Sequence, residues 1–370
     1  MIIKIDRGKL IEPLKHLVGV SEKKQTMPIL GNVLLRSTDN GLMLVGSDLE
    51  VEISTLVDYM CDGELDVTMP AKKLLDILKS LPGEDDVTIN IEDKKATIKS
   101  GKSKFILATL PGQDFPYQAL EIGWKHRVSA TNLDAMIAQT SFSMAVQDAR
   151  HFLNGLFFEV SSSKITVVAT DGHRLSMSAC EQQNDIDGLV NCIIPRKCIT
   201  EIKRILATFK DNKENLIDFN IINNEFLFQV GSFIIKSKLI EGNYPDYKKV
   251  FPESLPHKLD VNKQDFKGAL QRMSILSNDQ FKGVKLALSN SSLTLSTNNP
   301  SLEEGEDNIP CNYSGDVLEI GFNLTYLLEV IDVIPSENII LQLNNSDSGC
   351  LISSSDKIAL NKYIIMPMRV

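Results

Sequence analysis

Apolar residues recur along this chain with two periods that alternate in a fixed order. Leu10, Leu14 and Leu17 share one face of a helix beginning near Asp6. Leu74, Leu75, Leu78 and Leu81 share a face after Pro70, and Ile199, Ile202, Ile205 and Leu206 share one after Pro195. Asp6, Thr131 and Asn262 are residue types that cap a helix by accepting a hydrogen bond from a free backbone amide, so each predicts a helix start. Proline costs no internal bond at a first helical position, as after Ile194 and Met69, whereas Pro13 inside the first helix predicts a kink. Asn32-Val33-Leu34-Leu35 ahead of Gly46-Ser47-Asp48-Leu49 reads as alternating strands closed by a polar turn. The same holds for Asn154-Gly155-Leu156-Phe157 ahead of Thr170-Asp171-Gly172-His173, and for Gly283-Val284-Lys285-Leu286 ahead of Thr297-Asn298-Asn299-Pro300.

The pattern is a repeat. Met69-Pro70-Ala71-Lys72-Lys73-Leu74-Leu75-Asp76-Ile77-Leu78 resembles Ile194-Pro195-Arg196-Lys197-Cys198-Ile199-Thr200-Glu201-Ile202-Lys203. Both resemble Ile320-Gly321-Phe322-Asn323-Leu324-Thr325-Tyr326-Leu327-Leu328, and the starts at 69, 194 and 320 are 125 and 126 residues apart. Leu110-Pro111-Gly112-Gln113-Asp114-Phe115-Pro116 matches Leu239-Ile240-Glu241-Gly242-Asn243-Tyr244-Pro245 at a spacing of 129. Each copy reads as short helix, strands, helix, strands. This predicts three domains over 1–120, 124–250 and 251–370, with linkers at about 117–126 and 251–258, where Pro, Gly, Trp124 and His257 interrupt the pattern.

Charge adds a second layer. Lys72, Lys73 and Lys79 in copy one, and Arg196, Lys197, Lys203 and Arg204 in copy two, point away from the apolar stripes, while copy three has no Lys or Arg between Phe322 and Ile331. One such face alone is a solvated face; its repetition at one period points equally to a binding surface. Lys94, Lys95, Lys99, Lys102 and Lys104 crowd a hairpin with alternating Ala96, Ile98, Phe105 and Leu107. Glu303, Glu304, Glu306 and Asp307 follow a strand in copy three, near the apolar pair Ile275-Leu276. Edges of opposite sign fit a head-to-tail association, and charged edges also serve simply to prevent strand pairing.

Composition narrows the class. With 370 residues, 43% hydrophobic and 24% charged, the chain is neither disordered nor collagen-like nor a coiled coil. No apolar run approaches the ~20 residues that span a bilayer, and Met1-Ile2-Ile3-Lys4-Ile5-Asp6-Arg7 has no uninterrupted apolar stretch of the signal-peptide kind, which predicts a cytoplasmic protein without a membrane partner. The 39 basic against 48 acidic residues, net −9, argue against nucleic-acid binding by global attraction and leave room for a locally basic surface. Six cysteines lack any CxxC pair, and His16, His126, His151, His173 and His257 lack metal-ligand spacing, so no metal or other cofactor is expected.

Catalytic motifs are equally scarce. No G-x-S-x-G or G-x-G-x-x-G occurs, and Gly101-Lys102-Ser103 fails as a phosphate loop because position 96 is Ala96 and the segment lies in a hairpin. Asp171-Gly172-His173-Arg174 has the residues to orient an imidazole. A turn with Gly172 at positive φ and Arg174 paired to a local carboxylate accounts for them as well.

Several longer strings converge on one family. Thr170-Asp171-Gly172-His173-Arg174-Leu175, Tyr244-Pro245-Asp246-Tyr247, Met27-Pro28-Ile29-Leu30-Gly31-Asn32, Phe142-Ser143-Met144-Ala145 and Met366-Pro367-Met368-Arg369-Val370 together resemble the bacterial sliding clamps, the β subunits of DNA polymerase III, in order along the whole chain. The resemblance implies an α+β fold of three repeated clamp domains, with helices lining the inside and antiparallel sheets outside, assembled as a head-to-tail dimer in a pseudo-sixfold ring. It implies a non-catalytic function: encircling duplex DNA without sequence preference and conferring processivity on the replicative polymerase. The partners it implies are a second copy, the DNA polymerase III α subunit, the clamp loader, translesion polymerases, mismatch-repair proteins and ligase.

The site residues also come from the resemblance. The partner-peptide pocket is expected at Leu153, Thr170, Gly172, His173, Arg174, Leu175, Pro245, Val250, Ile364, Met366, Pro367, Met368 and Arg369, whose aliphatic walls and adaptable methionines suit Leu and Phe anchors. DNA-facing positions are Lys24, Gln147, Arg196 and Lys197. The dimer contact sets Lys99, Lys102, Lys104, Phe105 and Leu107 against Ile275, Leu276, Glu303, Glu304 and Glu306. His151-Phe152 departs from the family's pattern of two tyrosines, and Val370 replaces a more usual leucine.

Overall fold

The computed structural model describes residues 1–21, 27–82, 86–119, 123–184, 186, 188–209, 216–252, 255–277, 282–356 and 360–369. Among them one order of elements occurs three times, a strand, a helix, four strands, a second helix and three strands, with one extra two-residue strand, Leu110–Pro111, ending copy one. The helices are α1 (Arg7–Val20), α2 (Ala71–Ser80), α3 (Ala130–Thr140), α4 (Arg196–Thr208), α5 (Lys263–Met273) and α6 (Leu324–Val333).

Their starts follow from local chemistry. The Asp6 carboxylate accepts from the Gly8 amide at 2.6 Å, and Asn262 Oδ1 accepts from Gln264 and Asp265 at 2.9 and 3.2 Å. Asn323 caps α6 by accepting from Tyr326. Helix α3 instead begins at Ala130, so Thr131 lies inside it and is not its cap. Helix α1 runs unbroken through Pro13. Leu10, Leu14, Leu17 and Val20 are fully buried on one side, and at roughly 1.5–3 kcal/mol each they outweigh the roughly 3 kcal/mol that an interior proline costs. The expected linkers are shorter than the pattern implied, because His126 and His257 already open strands His126–Ser129 and His257–Asn262.

The chain divides into two compact units that cut across the three copies: 1–131 with 197–239, and 132–196 with 240–370. The first contains a four-stranded sheet, ordered Ile2–Asp6, Asp86–Glu92, Lys95–Ser100, Ser103–Ala108, and a nine-stranded sheet. In the nine-stranded sheet, Phe233–Lys238 of copy two pairs antiparallel with Val51–Val57 of copy one, Ile235 opposite Ile53 and Lys236 opposite Glu52. The second unit repeats the arrangement. In its eight-stranded sheet Lys362–Ile365 of copy three pairs with Arg174–Glu181 of copy two, Tyr363 opposite Ser176 and Ile364 opposite Leu175. Its other sheet is ordered Glu304–Pro310, Ser292–Asn298, Gly283–Ser289, Leu318–Asn323. The last strand of each following copy thus joins the sheet of the copy before it, which buries a seam inside each unit.

Candidate functional site

The second unit holds an apolar cavity of about 330 Å³. Its rim is the turn from Thr170 to Arg174. Thr170 Oγ1 donates to the Arg174 carbonyl at 2.6 Å and accepts from the Gly172 amide at 3.1 Å, and Gly172 takes φ +89°, a left-handed value that disfavours any residue with a Cβ. The Asp171 carboxylate accepts from the amides of His173 and Arg174 at 2.9 and 3.0 Å and from Arg174 Nε at 3.1 Å. Asp171 is thereby engaged with the turn and with Arg174, the local pairing that the turn reading of this cluster expects.

Arg174 is buried beneath this rim. Its guanidinium donates to Glu329 and, at 2.8 Å, to the Phe142 carbonyl, and it lies 4.3 Å from the Tyr326 ring centroid. Opposite the turn, the short 3-10 helix His151–Asn154 presents Leu153. Asn154 fixes it by accepting from the Asp148 amide at 3.0 Å and donating to the Asp148 carbonyl at 2.9 Å. Arg150 forks onto Asp148 at 2.9 and 3.0 Å, which holds the Asp148 carboxyl well down, at about 2. A second 3-10 helix, Tyr247–Val250, supplies Tyr247, whose hydroxyl donates to Glu159 at 3.0 Å; burial pushes that phenol up. Tyr244 stacks on Phe157 at 4.7 Å behind it.

Nine of the expected pocket residues line the cavity: Leu153, Thr170, Gly172, Arg174, Leu175, Pro245, Val250, Ile364 and Met366. His173, Pro367, Met368 and Arg369 do not line it; Met366 and Met368 donate backbone amides to the His173 and Gly321 carbonyls, so this last segment holds the wall in place. Arg150, Phe152 and Tyr247 line it without having been expected. Tyr247 belongs to a string already singled out, and Asp148-x-Arg150 is a charge pair legible in the chain.

The basic helix faces are partly neutralised. Lys197 is ion-paired with Asp48, Lys72 with Asp76 at 2.9 Å, and Arg204 with Glu201 at 3.0 Å, while Arg196 donates to the Met144 carbonyl. Lys73, Lys79 and Lys203 are exposed, and Gln147 is exposed on a left-handed backbone at φ +55°. Lys24 lies outside the described residues.

Two of the sheet edges carry the residues expected at the dimer contact. Ser103–Ala108 and Glu304–Pro310 each end their sheet, with no strand beyond them among the described residues. On the first, Phe105 and Ile106 are 36% and 56% exposed, whereas Leu107, at 8%, turns into the protomer's own core. Lys99 stands directly opposite Lys104, a like-charge pairing that an acidic partner would relieve. Beside the second edge, Ile275 is 78% exposed and Glu304 and Glu306 face solvent. Among the described residues no group of His, Cys, Asp and Glu is arranged to hold a metal, and no helix is long and apolar enough to cross a membrane.

Comparison with known proteins matches each copy separately. Residues 1–120 match the N-terminal domain of the DNA polymerase III beta subunit, 127–246 the central domain and 248–369 the C-terminal domain. The chain is 39% identical to the beta sliding clamp of Pseudomonas aeruginosa over 372 residues, and 36% identical to that of Escherichia coli over 371, covering 99% of both partners in each case. A crystal structure of the Pseudomonas aeruginosa sliding clamp bound to griselimycin superposes with a TM-score of 0.93 at 38% identity, over 100% of both chains. Three consecutive domain matches, full-length identity and a superposition that includes every repeat leave one assignment: the chain belongs to the β sliding clamp family, the β subunits of DNA polymerase III.

Proposed function

We propose that the chain acts as a DNA sliding clamp in the bacterial cytoplasm: two copies join head to tail in a ring that encircles duplex DNA and confers processivity on the replicative polymerase. The observation that carries this reading is an unfilled third seam. Val51–Val57 and Arg174–Glu181 are each paired by the last strand of the following copy, but the corresponding strand of copy three, Glu304–Pro310, and the last strand of copy one, Ser103–Ala108, are paired on one side only among the described residues. A second chain supplies the neighbour on the other side of each. The register of the two filled seams, carried over, sets Lys104 opposite Glu306, Phe105 opposite Gly305 and Ile106 opposite Glu304 of the neighbour. A large ring against a glycine and an ammonium against a carboxylate are chemically apt pairs. Apolar burial at roughly 1.5–3 kcal/mol per side chain supplies most of the affinity, and exposed ion pairs at roughly 0–1 kcal/mol set register and rate.

Heterologous contacts either close or run on as a filament, and family membership favours closure. Exposed Lys73, Lys79 and Lys203, with Gln147, provide loose phosphate contacts, while the net charge of −9 keeps DNA off the remaining surface. Retention is then topological, and no catalytic step is required. The cavity receives short apolar segments from the polymerase III α subunit, the clamp loader, translesion polymerases, mismatch-repair proteins and ligase. The test is to load the protein with a clamp loader onto a nicked circle, isolate the complex at high salt and cut the circle once. Release only on linearisation supports the ring. Equal loss from both forms, with a control clamp retained, moves the reading to an open scaffold.

A further inference from the structure

The strand positions that floor the docking cavity have counterparts in the first unit, and there they are ionic. In the second unit the floor is the cross-strand pair Leu175 and Ile364, and Leu175 also faces Thr170. The same positions in the first unit hold Glu52 and Lys236, directly opposed, with Glu52 facing Ser47. Leu153, Pro245 and the packed layer behind the floor have counterparts as well. Leu34 and Val45 are paired as Phe157 and Val168 are, Leu30 stands on a short 3-10 helix as Leu153 does, and Phe115-Pro116 repeats Tyr244-Pro245. Leu30, Leu34, Val45 and Phe115 are all buried.

Lys236 Nζ lies 3.3 Å from Glu52 Oε1, and the two side chains are only 19% and 8% exposed. Burial raises the Glu52 pKa and Lys236 opposes that shift, so the carboxylate depends on its partner. An apolar anchor entering here has either to part the two charges or to cover them without offering a hydrogen bond, and both are costly. Over Leu175 and Ile364 the same anchor meets only methyl groups.

We propose that the Glu52–Lys236 pair is a specificity determinant that closes the first seam to apolar partner segments and so limits each chain to one docking cavity. The inference rests on reading the Leu175–Ile364 cavity as the docking site.

The test uses the full chain and a synthetic peptide with adjacent leucine and phenylalanine anchors and a photoreactive group, read by binding stoichiometry and by the location of the cross-link. The native chain is expected to bind one peptide, cross-linked to residues around Leu175. Glu52→Leu combined with Lys236→Ile is expected to bind a second, cross-linked near Leu34 and Val45, with a Kd within roughly 100-fold of the first. A folded double variant that still binds one peptide, or a native chain already labelled in both units, overturns the inference. A native chain labelled in neither unit overturns instead the reading of the cavity. If that variant does not fold, Glu52→Gln with Lys236→Met removes both charges at nearly constant length and faces the same two outcomes.

Discussion

The backbone amide of Met366 donates to the carbonyl oxygen of His173 at 2.8 Å, tying the last strand of the chain to the turn that forms the cavity rim. Gly172 is the conformationally special residue in that turn, at φ +89°, and a Cβ there would sit 3.0 Å from Arg150 Nη2. Gly172→Ala should cost about 1–2 kcal/mol from the left-handed backbone and displace Arg150 from the cavity wall. Calorimetric melting and peptide anisotropy titration should show a lower Tm together with weaker peptide binding.

Arg174 is expected to act on stability before it acts on binding. Its side chain is buried and serves Asp171, Glu329, the Phe142 carbonyl and the Tyr326 ring at once. Arg174→Met strands the Asp171 carboxylate near the core, a loss of about 3 kcal/mol. Arg174→Lys should recover only part of it, because an ammonium cannot reproduce the planar fork. Urea denaturation midpoints distinguish the three chains.

The Glu52–Lys236 pair predicts a particular pH dependence. Burial raises the Glu52 pKa, so the folded state holds this proton more tightly than the unfolded one, and the group's stabilising effect is greatest at low pH and declines as pH rises through the folded value. Removing Lys236 raises that value further. Lys236→Met should therefore approach the native chain in stability as pH falls below the folded Glu52 value, and fall behind by about 3 kcal/mol near neutrality. Glu52→Gln should lose little at any pH. Melting temperatures across pH 4 to 8 would refute this if the Lys236→Met deficit were flat.

The proposed third seam can be tested by exchanging its charges. Lys104→Glu places like charges opposite Glu306 and should weaken dimerisation about 10-fold, and adding Glu306→Lys should restore it. Phe105→Ala removes an apolar anchor and should weaken it by about 10- to 100-fold with no charge-swap rescue. Sedimentation velocity at graded concentrations reads all three.

Much of this was legible along the chain. The leucine stripes of α1 and α2 and the isoleucine stripe of α4 place the helices, and the period of the Pro70 and Pro195 segments reveals the copies. Much of the cavity is likewise legible, because Thr170 through Leu175, Pro245 and Met366 sit in strings with a family likeness. Phe152 and Tyr247 escaped since an aromatic side chain beside a turn looks the same in sequence whether it lines a cavity or fills a core.

What the sequence by itself determined was local: where helices start, which faces are apolar, and that the unit occurs three times, since periods of 3.6 and 2 are set within one segment. Only tertiary structure decided which strands meet across copies. Pairing Lys236 with Glu52, and Ile364 with Leu175, depends on strands far apart in the chain coming into one register, and a shift by one residue would turn every side chain to the other face. The same physics turned Leu107 inward, committed Lys197 to Asp48 and put Ser103–Ala108 and Glu304–Pro310 at the edges of their sheets. Each outcome is fixed by neighbours that no local pattern contains.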